Sequence, residues 1–210
     1  MILEACVGNL QEALIAENKG AHQIELCDRL DLDGTSPTID TIKKACDQLK
    51  IPIKVIVNPN PFNYSYSEDD IQNIIDYIKQ LNALPIHGIV FGPLTKEGLP
   101  DLDILDLVAD HTNLPITYHK AIDTSSDILQ STSMLLEQNK VKYILTSGGE
   151  KTALLGAKQI LEMQSILKNS KIELIGAGKI TSANLNEFHE NLNLKYYHGK
   201  KIVGDLHSSI

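Results

Sequence analysis

The chain has 210 residues, of which 19 are lysine or arginine and 27 are aspartate or glutamate, so its formal net charge is −8. That length suits one domain over residues 1–210 with a core that needs no disulfides. The acidic balance argues against a nucleic-acid partner, which requires clustered positive charge, and no apolar run approaches the roughly 20 residues that span a membrane.

Short apolar segments alternate with amphipathic segments along the chain. The apolar segments predict eight strands, at residues 2–7, 22–26, 52–57, 87–91, 115–119, 142–146, 171–175 and 194–197. Residues typical of helix starts precede several amphipathic segments, at Pro37, Ser67, Ser125 and Thr181. Repeated strand–helix alternation indicates a parallel sheet, and eight repeats favour an α/β fold of the (β/α)₈ TIM-barrel type over a doubly wound open sheet.

The carboxyl-terminal end of the predicted barrel is short. Barrels of this type need roughly 200 residues at least, and only about a dozen residues follow the last predicted strand. We therefore expect the eighth helix to be short or missing. A second copy of the chain is a candidate cover for the strand that this helix would leave bare.

The chain contains three cysteines, Cys6, Cys27 and Cys46. An odd and sparse set suits reduced thiols better than a disulfide framework. The amino-terminal segment carries Glu4 and has no basic stretch, which argues against a secretory signal. Together these features lead us to expect a cytoplasmic protein, with Cys46 as an ordinary core residue of a helix.

The first two predicted strands end in the same Glu-x-Cys pattern, as Glu4 with Cys6 and Glu25 with Cys27. Because strand side chains alternate in direction, all four side chains are predicted to point into the barrel mouth. Adjacent strands lie roughly 4.8 Å apart, so the two thiolates are candidate ligands for one soft metal ion such as Cu(I) or zinc. Alternatively, both cysteines are small buried hydrophobic residues.

Burial of two glutamate side chains costs free energy unless the carboxylates are ion-paired, hydrogen-bonded or hydrated. Lys54 has the inward parity on the third strand and is the candidate partner for a structural ion pair. The alternative is a proton-transfer site made of Glu4, Glu25, His119 and Asp123, in which Asp123 orients the imidazole of His119. A hydrogen bond to nearby backbone is the competing interpretation of His119.

Further candidate ligand-binding residues follow other strand ends. Glycines there let backbone N–H groups approach an anionic small molecule, although a tight turn also needs glycine. The candidates are Asn58, Lys120, Ser147, Gly148, Gly176, Gly178 and His198.

Six motifs occur in order and together resemble the CutC family, at residues 3–7, 20–27, 90–94, 117–123, 145–148 and 176–178. The resemblance extends from residue 3 to about residue 198. It implies a (β/α)₈ barrel, a cytoplasmic and oligomeric protein, and a role in copper homeostasis with Cu(I) bound by Cys6 and Cys27. The leading hypothesis is therefore a Cu(I)-binding protein that forms a homo-oligomer.

The sequence departs from the family pattern at the mouth. Asn58-Pro59-Asn60 stands where the family has Arg-Pro-Arg, Lys120 replaces an arginine, and residues 61–64 replace a glycine-rich stretch. Loss of guanidinium groups removes bidentate recognition of anions. The alternative hypotheses are an enzyme that carries out acid/base chemistry on a small anionic metabolite, with altered or lost activity in this chain, and a binding protein without turnover.

Overall fold

A computed structural model describes residues 1–61 and 63–207 and confirms the predicted barrel. Eight parallel strands close in chain order, and each strand lies within two residues of its predicted bounds. The strands are β1 (Ile2–Val7), β2 (Gln23–Leu26), β3 (Ile53–Ile56), β4 (Gly88–Val90), β5 (Ile116–Tyr118), β6 (Val141–Thr146), β7 (Glu173–Gly176) and β8 (Tyr196–Gly199). Phe62, in the stretch that replaces the glycine-rich family segment, lies outside the described residues.

Seven α-helices surround the strands in the described ranges, and none follows β8 up to residue 207, as expected. None of them is long and apolar enough to cross a membrane. The helices are α1 (Leu10–Asn18), α2 (Ile39–Gln48), α3 (Glu68–Leu81), α4 (Leu102–Asp110), α5 (Ile128–Met134), α6 (Ala157–Leu167) and α7 (Leu185–Leu192).

The predicted helix starts are partly correct. Ser67 caps α3 in a reciprocal capping box with Asp70, which satisfies two otherwise unpaired N–H groups. α2 is capped by Thr38 rather than opened by Pro37. α7 starts later than Thr181, because Thr181 forms a bridge with Lys201 and donates its N–H to the side chain of Asn184.

Alternation along the strands separates two kinds of interior. Ala5, Ile24 and Leu26 face outward and are fully buried against the helices, which forms the main core. The inward face instead carries buried polar side chains, among them Glu4, Gln23, Glu25, Lys54, Thr117, His119 and His198. The predicted inward parity is therefore confirmed, and the barrel interior is a polar site lined by strand residues.

Candidate functional site

The carboxyl ends of the strands surround a cavity of about 750 Å³. Eight of the predicted site residues line it, and Glu4 lies fully buried beneath them. The eight are Cys6, Glu25, Cys27, Asn58, His119, Lys120, Gly178 and His198. Asp123, Ser147, Gly148 and Gly176 are not among the lining residues.

The two thiols of the Glu-x-Cys patterns meet in the mouth. The N–H of Cys27 donates to the carbonyl of Val7 at 2.9 Å, which extends the pairing of β1 and β2 beyond Leu26. This places Sγ of Cys6 and Sγ of Cys27 4.0 Å apart, with both residues buried. Sγ of Cys27 also lies 3.5 Å from Oε1 of Glu25 and can donate to it. The stagger of the strands therefore leaves the two thiols adjacent.

Glu4 is the centre of a buried charge network, and Lys54 is its partner as predicted. Oε2 of Glu4 lies 2.8 Å from Nζ of Lys54 and accepts from Nε2 of Gln23 at 2.6 Å. Oε1 lies 2.9 Å from Nδ1 of His198. Lys54 also sits over the Tyr143 ring, with Nζ 4.0 Å from the ring centroid, a cation–π contact.

The environment of Glu4 favours its charged form. Burial alone would raise the pKa of Glu4, but the charges of Lys54 and His198 and the hydrogen bond with His198 lower the pKa to about 2. Sequence reasoning missed Gln23 and Tyr143, although both have the inward parity of their strands. Parity was the available signal for them, because Gln23 precedes Glu25 by two residues and Tyr143 precedes Leu145 by two.

Glu25 has a different environment although it lies next to Glu4. Its Oε2 is 3.5 Å from Nδ1 of His198 and has no hydrogen-bond partner among the described residues. Burial raises the pKa of Glu25 to about 8, with the negative charges of Cys6 and Glu4 acting in the same direction. His198 shows the opposite balance: burial would lower its pKa, but hydrogen bonds with Cys6 and Glu4 hold the pKa well above its usual range.

The two thiols are electrostatically unequal. A hydrogen bond from Cys27, supported by His198, lowers the pKa of Cys6 to about 5 in spite of burial. The same hydrogen bond with Cys6, together with burial, raises the pKa of Cys27 well above its ordinary value. The surroundings therefore favour the thiolate form for Cys6 and the protonated form for Cys27, and the thiolate is the form that can bind a metal.

The interpretation that His119 hydrogen-bonds to nearby backbone holds for only one of its two ring nitrogens. Nδ1 accepts from the N–H of Ala121 at 3.2 Å, whereas Nε2 is buried without a hydrogen-bond partner among the described residues. Burial lowers the pKa of His119 to about 4, so the ring is neutral near pH 7. Gly92 provides space for the ring, because a Cβ at that position would lie 2.7 Å from Nδ1. Tyr64, which sequence reasoning did not select, packs against the ring with centroids 4.9 Å apart.

Asp123 makes no hydrogen bond to His119 among the described residues, so the geometry does not support its predicted orienting role. Its carboxylate accepts from Oγ1 of Thr146 and from the N–H groups of Ser147 and Gly149, at 2.5–3.1 Å. It also pairs with Lys120. Asp123 therefore fixes the loop after β6 rather than an imidazole.

Three of the predicted ligand residues, at the ends of β6 and β7, lie outside the cavity lining. Ser147 is buried, and its hydroxyl bonds to Asp123, to Lys120 and to the carbonyl of Glu150. Gly148 has a φ of +73°, and a Cβ there would lie 2.3 Å from the carbonyl oxygen of Gly156. Gly176 has the outward parity of β7 and packs against Leu194 and Tyr197. All three residues make contacts within the surrounding loops and strands, and none of them lines the cavity.

Two groups of side chains in the mouth have metal-ligand chemistry. Glu4, Glu25 and His198 have donor atoms within 4.8 Å of one another. Glu4 in that set is already bound to Lys54, and an ammonium group next to a carboxylate opposes a cation there. The thiol pair also adjoins a cation, because His198 hydrogen-bonds to Cys6, but it offers soft sulfur ligands, which suit Cu(I).

Comparisons with known proteins agree with the barrel and its motifs. A family model described as the CutC family matches residues 1–203. A "family protein CutC" of Photobacterium profundum is 30% identical over 197 residues, covering 93% of this chain and 80% of that protein. The "copper homeostasis protein cutC homolog" of Mus musculus is 31% identical over 198 residues, covering 94% of this chain and 72% of that protein.

The fold is also similar to a solved structure. The crystal structure of a CutC protein from Streptococcus agalactiae has a TM-score of 0.90 and 25% sequence identity to this chain. The match covers 96% of this chain and 99% of that chain. The likeness therefore extends over almost the whole barrel.

Proposed function

This chain belongs to the CutC family, and from that premise we propose that it is a copper-homeostasis protein that binds Cu(I) through Cys6 and Cys27. The observation that carries the proposal is the 4.0 Å distance between the two buried sulfur atoms. Metal–sulfur bonds in zinc sites are roughly 2.3 Å long. The separation is less than twice that length, so one ion can bind both sulfur atoms without a change in the strands.

The charge of the surroundings supports a monovalent ion. When Cu(I) replaces one thiol proton, the net charge of the buried cluster does not change, whatever the protonation of the other groups. A divalent ion would add a buried positive charge unless a second proton left, and unbalanced buried charge is costly. Softness and charge thus favour Cu(I) over zinc at this pair.

The network around Glu4 supports the thiols rather than acting on a substrate. His198 bonds to Glu4 at 2.9 Å, and hydrogen bonds of this kind fix the orientation of a ring beside a metal site. Proton transfer by Glu4, Glu25, His119 and Asp123 is less well supported, because Glu4 is held by Lys54 and Asp123 is engaged in its loop. A reducing compartment such as the cytoplasm would keep both thiols available.

A Cu(I) competition titration under reducing conditions tests this proposal. We expect Cys6→Ser and Cys27→Ser each to weaken Cu(I) binding by at least about 100-fold, since loss of an outer-shell contact alone costs 10- to 100-fold. Cys46→Ser is the matched control, because Cys46 lies on α2 outside the barrel. The proposal fails if Cys27→Ser binds Cu(I) as tightly as Cys46→Ser does.

A further inference from the structure

The side of the mouth formed by β3 and β5 contains polar atoms that the fold leaves without partners. Oδ1 of Asn58 and Nε2 of His119 are both buried and have no hydrogen bond among the described residues. Asn58 is 2% exposed and His119 is 5% exposed, and both line the cavity. Buried polar groups are normally hydrogen-bonded, and one that is not destabilises the fold. A ligand in the cavity would satisfy both.

The hydrogen bonds that these residues do make define what the ligand must offer. Nδ2 of Asn58 donates to the carbonyl of Gly34 at 2.8 Å, which leaves Oδ1 as an acceptor. Nδ1 of His119 accepts from the N–H of Ala121, so the proton of the neutral ring is on Nε2, which is then a donor. The mouth therefore presents one N–H donor and one C=O acceptor. A hydroxyl group both donates and accepts hydrogen bonds, so it can bind either of these two atoms.

The rim of the same cavity is positively charged in an acidic protein. Five lysines line it against three carboxylates, whereas the chain as a whole has 27 acidic and 19 basic residues. Lys179 and Lys200, in the loops after β7 and β8, form no salt bridge with a carboxylate of the described ranges. Nζ of Lys200 donates to the carbonyl of Leu30 at 2.9 Å, which fixes its position at the rim. Such a rim attracts small anions.

The barrel order places these two features on opposite sides of the mouth. In a closed barrel of eight strands, β3 lies across from β7 and β4 lies across from β8. A ligand that reaches both therefore spans the opening. The volume of about 750 Å³ is within the range of small-molecule sites.

We propose that this mouth binds a small hydroxylated organic anion, with its anionic group near Lys179 and Lys200 and a hydroxyl group at His119 and Asn58. Lysines provide point charges rather than the planar forks of arginine. The site therefore attracts a phosphate or a carboxylate through its charge, and the hydroxyl contacts distinguish organic anions from inorganic ones. This site shares the cavity with the thiol pair but uses other residues, so the proposal does not depend on the copper proposal.

Calorimetric titration of the metal-free chain tests the proposal with four probes. Ribose phosphate and gluconate carry both features, inorganic phosphate lacks the carbon-bound hydroxyls, and ribitol lacks the charge. We expect at least one of the two organic anions to bind with a Kd below about 1 mM, at least about tenfold tighter than inorganic phosphate and ribitol. The stronger of the two identifies a phosphate or a carboxylate as the anionic group.

Variants separate the two halves of the site. We expect the double substitution Lys179→Gln, Lys200→Gln to weaken binding of the organic anion at least about tenfold. Lys43→Gln, Lys44→Gln is the matched control, with two exposed lysines on α2. His119→Phe is expected to weaken the organic anion and to leave inorganic phosphate unchanged.

Three results would overturn the proposal. The first is the absence of binding by both organic anions up to about 10 mM. The second is equal affinity for ribose phosphate and inorganic phosphate, which would remove the role of the hydroxyl contacts. The third is equal affinity in the Lys179→Gln, Lys200→Gln protein and in the lysine control. Because the titration contains no copper, each result is independent of Cu(I) binding.

Discussion

The two sides of the barrel mouth differ in the charge of their buried polar groups, although each side leaves polar atoms without a hydrogen-bond partner among the described residues. On the side of β1, β2 and β8, Glu4 bonds to Lys54, Gln23 and His198 within 2.6–2.9 Å. On the side of β3 and β5, Asn58 and His119 each keep one buried atom without a partner. Both sides belong to one cavity, so the difference comes from the side chains that the strands bring together and not from exposure.

This difference in charge indicates which kind of ligand each side suits. The first side pairs most of its charges, although Oε2 of Glu25 has no hydrogen-bond partner among the described residues, and it suits an ion that exchanges with a thiol proton. The second side is uncharged and incomplete, which suits an organic molecule with hydrogen-bonding groups. One barrel therefore places an ion site and a candidate small-molecule site next to each other.

The largest expected effect on stability comes from removing one charge of the network around Glu4. Lys54→Met removes the ammonium group that pairs with buried Glu4, and removal of one partner of a buried pair costs about 3–5 kcal/mol. We expect chemical denaturation to show a loss of that size. Glu4→Gln, Lys54→Met removes both charges and should recover part of the loss. A single substitution that costs less than about 1 kcal/mol would contradict the charge network.

The uncharged side of the mouth, which contains His119, is tested by the pH dependence of the free energy of unfolding. The pKa of His119 is about 4 in the folded chain, against 6.5 for the ordinary residue. The unfolded chain therefore binds more protons between these values, so the stability that His119 contributes is complete above pH 6.5 and is lost as the pH falls toward 4. Between pH 7 and pH 5 this loss amounts to about 2 kcal/mol.

The measurement is the free energy of unfolding of the wild type and of His119→Gln at both pH values. The difference between the two proteins isolates His119 from the other titrating groups. We expect the wild type to lose more stability than the variant on acidification. Parallel losses in the two proteins would show that the folded chain accommodates a charged His119.

Lys120 provides a comparison with Lys54, and its loss has the smallest expected effect on stability. Lys120 also pairs with a carboxylate, Asp123, but its side chain is 40% exposed whereas that of Lys54 is 5% exposed. Asp123 also keeps its hydrogen bonds to backbone N–H groups when the lysine is lost. We expect Lys120→Met to cost less than about 1 kcal/mol by the same denaturation assay. A loss as large as that of Lys54→Met would mean that burial does not set the difference.

The sequence predicts the barrel and the inward face well because both depend on regular repeats. Strand–helix alternation indicates eight parallel strands, and a period of two places Glu4, Cys6, Glu25 and Lys54 inside. Parity also identifies Lys54 as a partner, because a buried carboxylate needs a cation. These features follow from local pattern and require no knowledge of loop geometry.

The loops could not be predicted in the same way. The contacts of Asp123 depend on how the chain turns after β6, where Gly148 and Gly149 both have positive φ values. The lysine rim joins residues from loops that are distant in the sequence, so no single motif contains it. The unpaired atoms of Asn58 and His119 become visible only after the partners of every neighbouring group are known.

Copper X-ray absorption on the Cu(I)-loaded chain tests the central claim most directly, because it counts the sulfur atoms bound to the ion. We predict two sulfur ligands in the wild type, two in Cys46→Ser, and one in Cys27→Ser at matched copper content. A wild-type spectrum with only nitrogen and oxygen ligands would exclude the thiol pair and leave Glu4, Glu25 and His198 as candidate ligands. That result would contradict the assignment of Cys6 and Cys27 as the copper-binding pair.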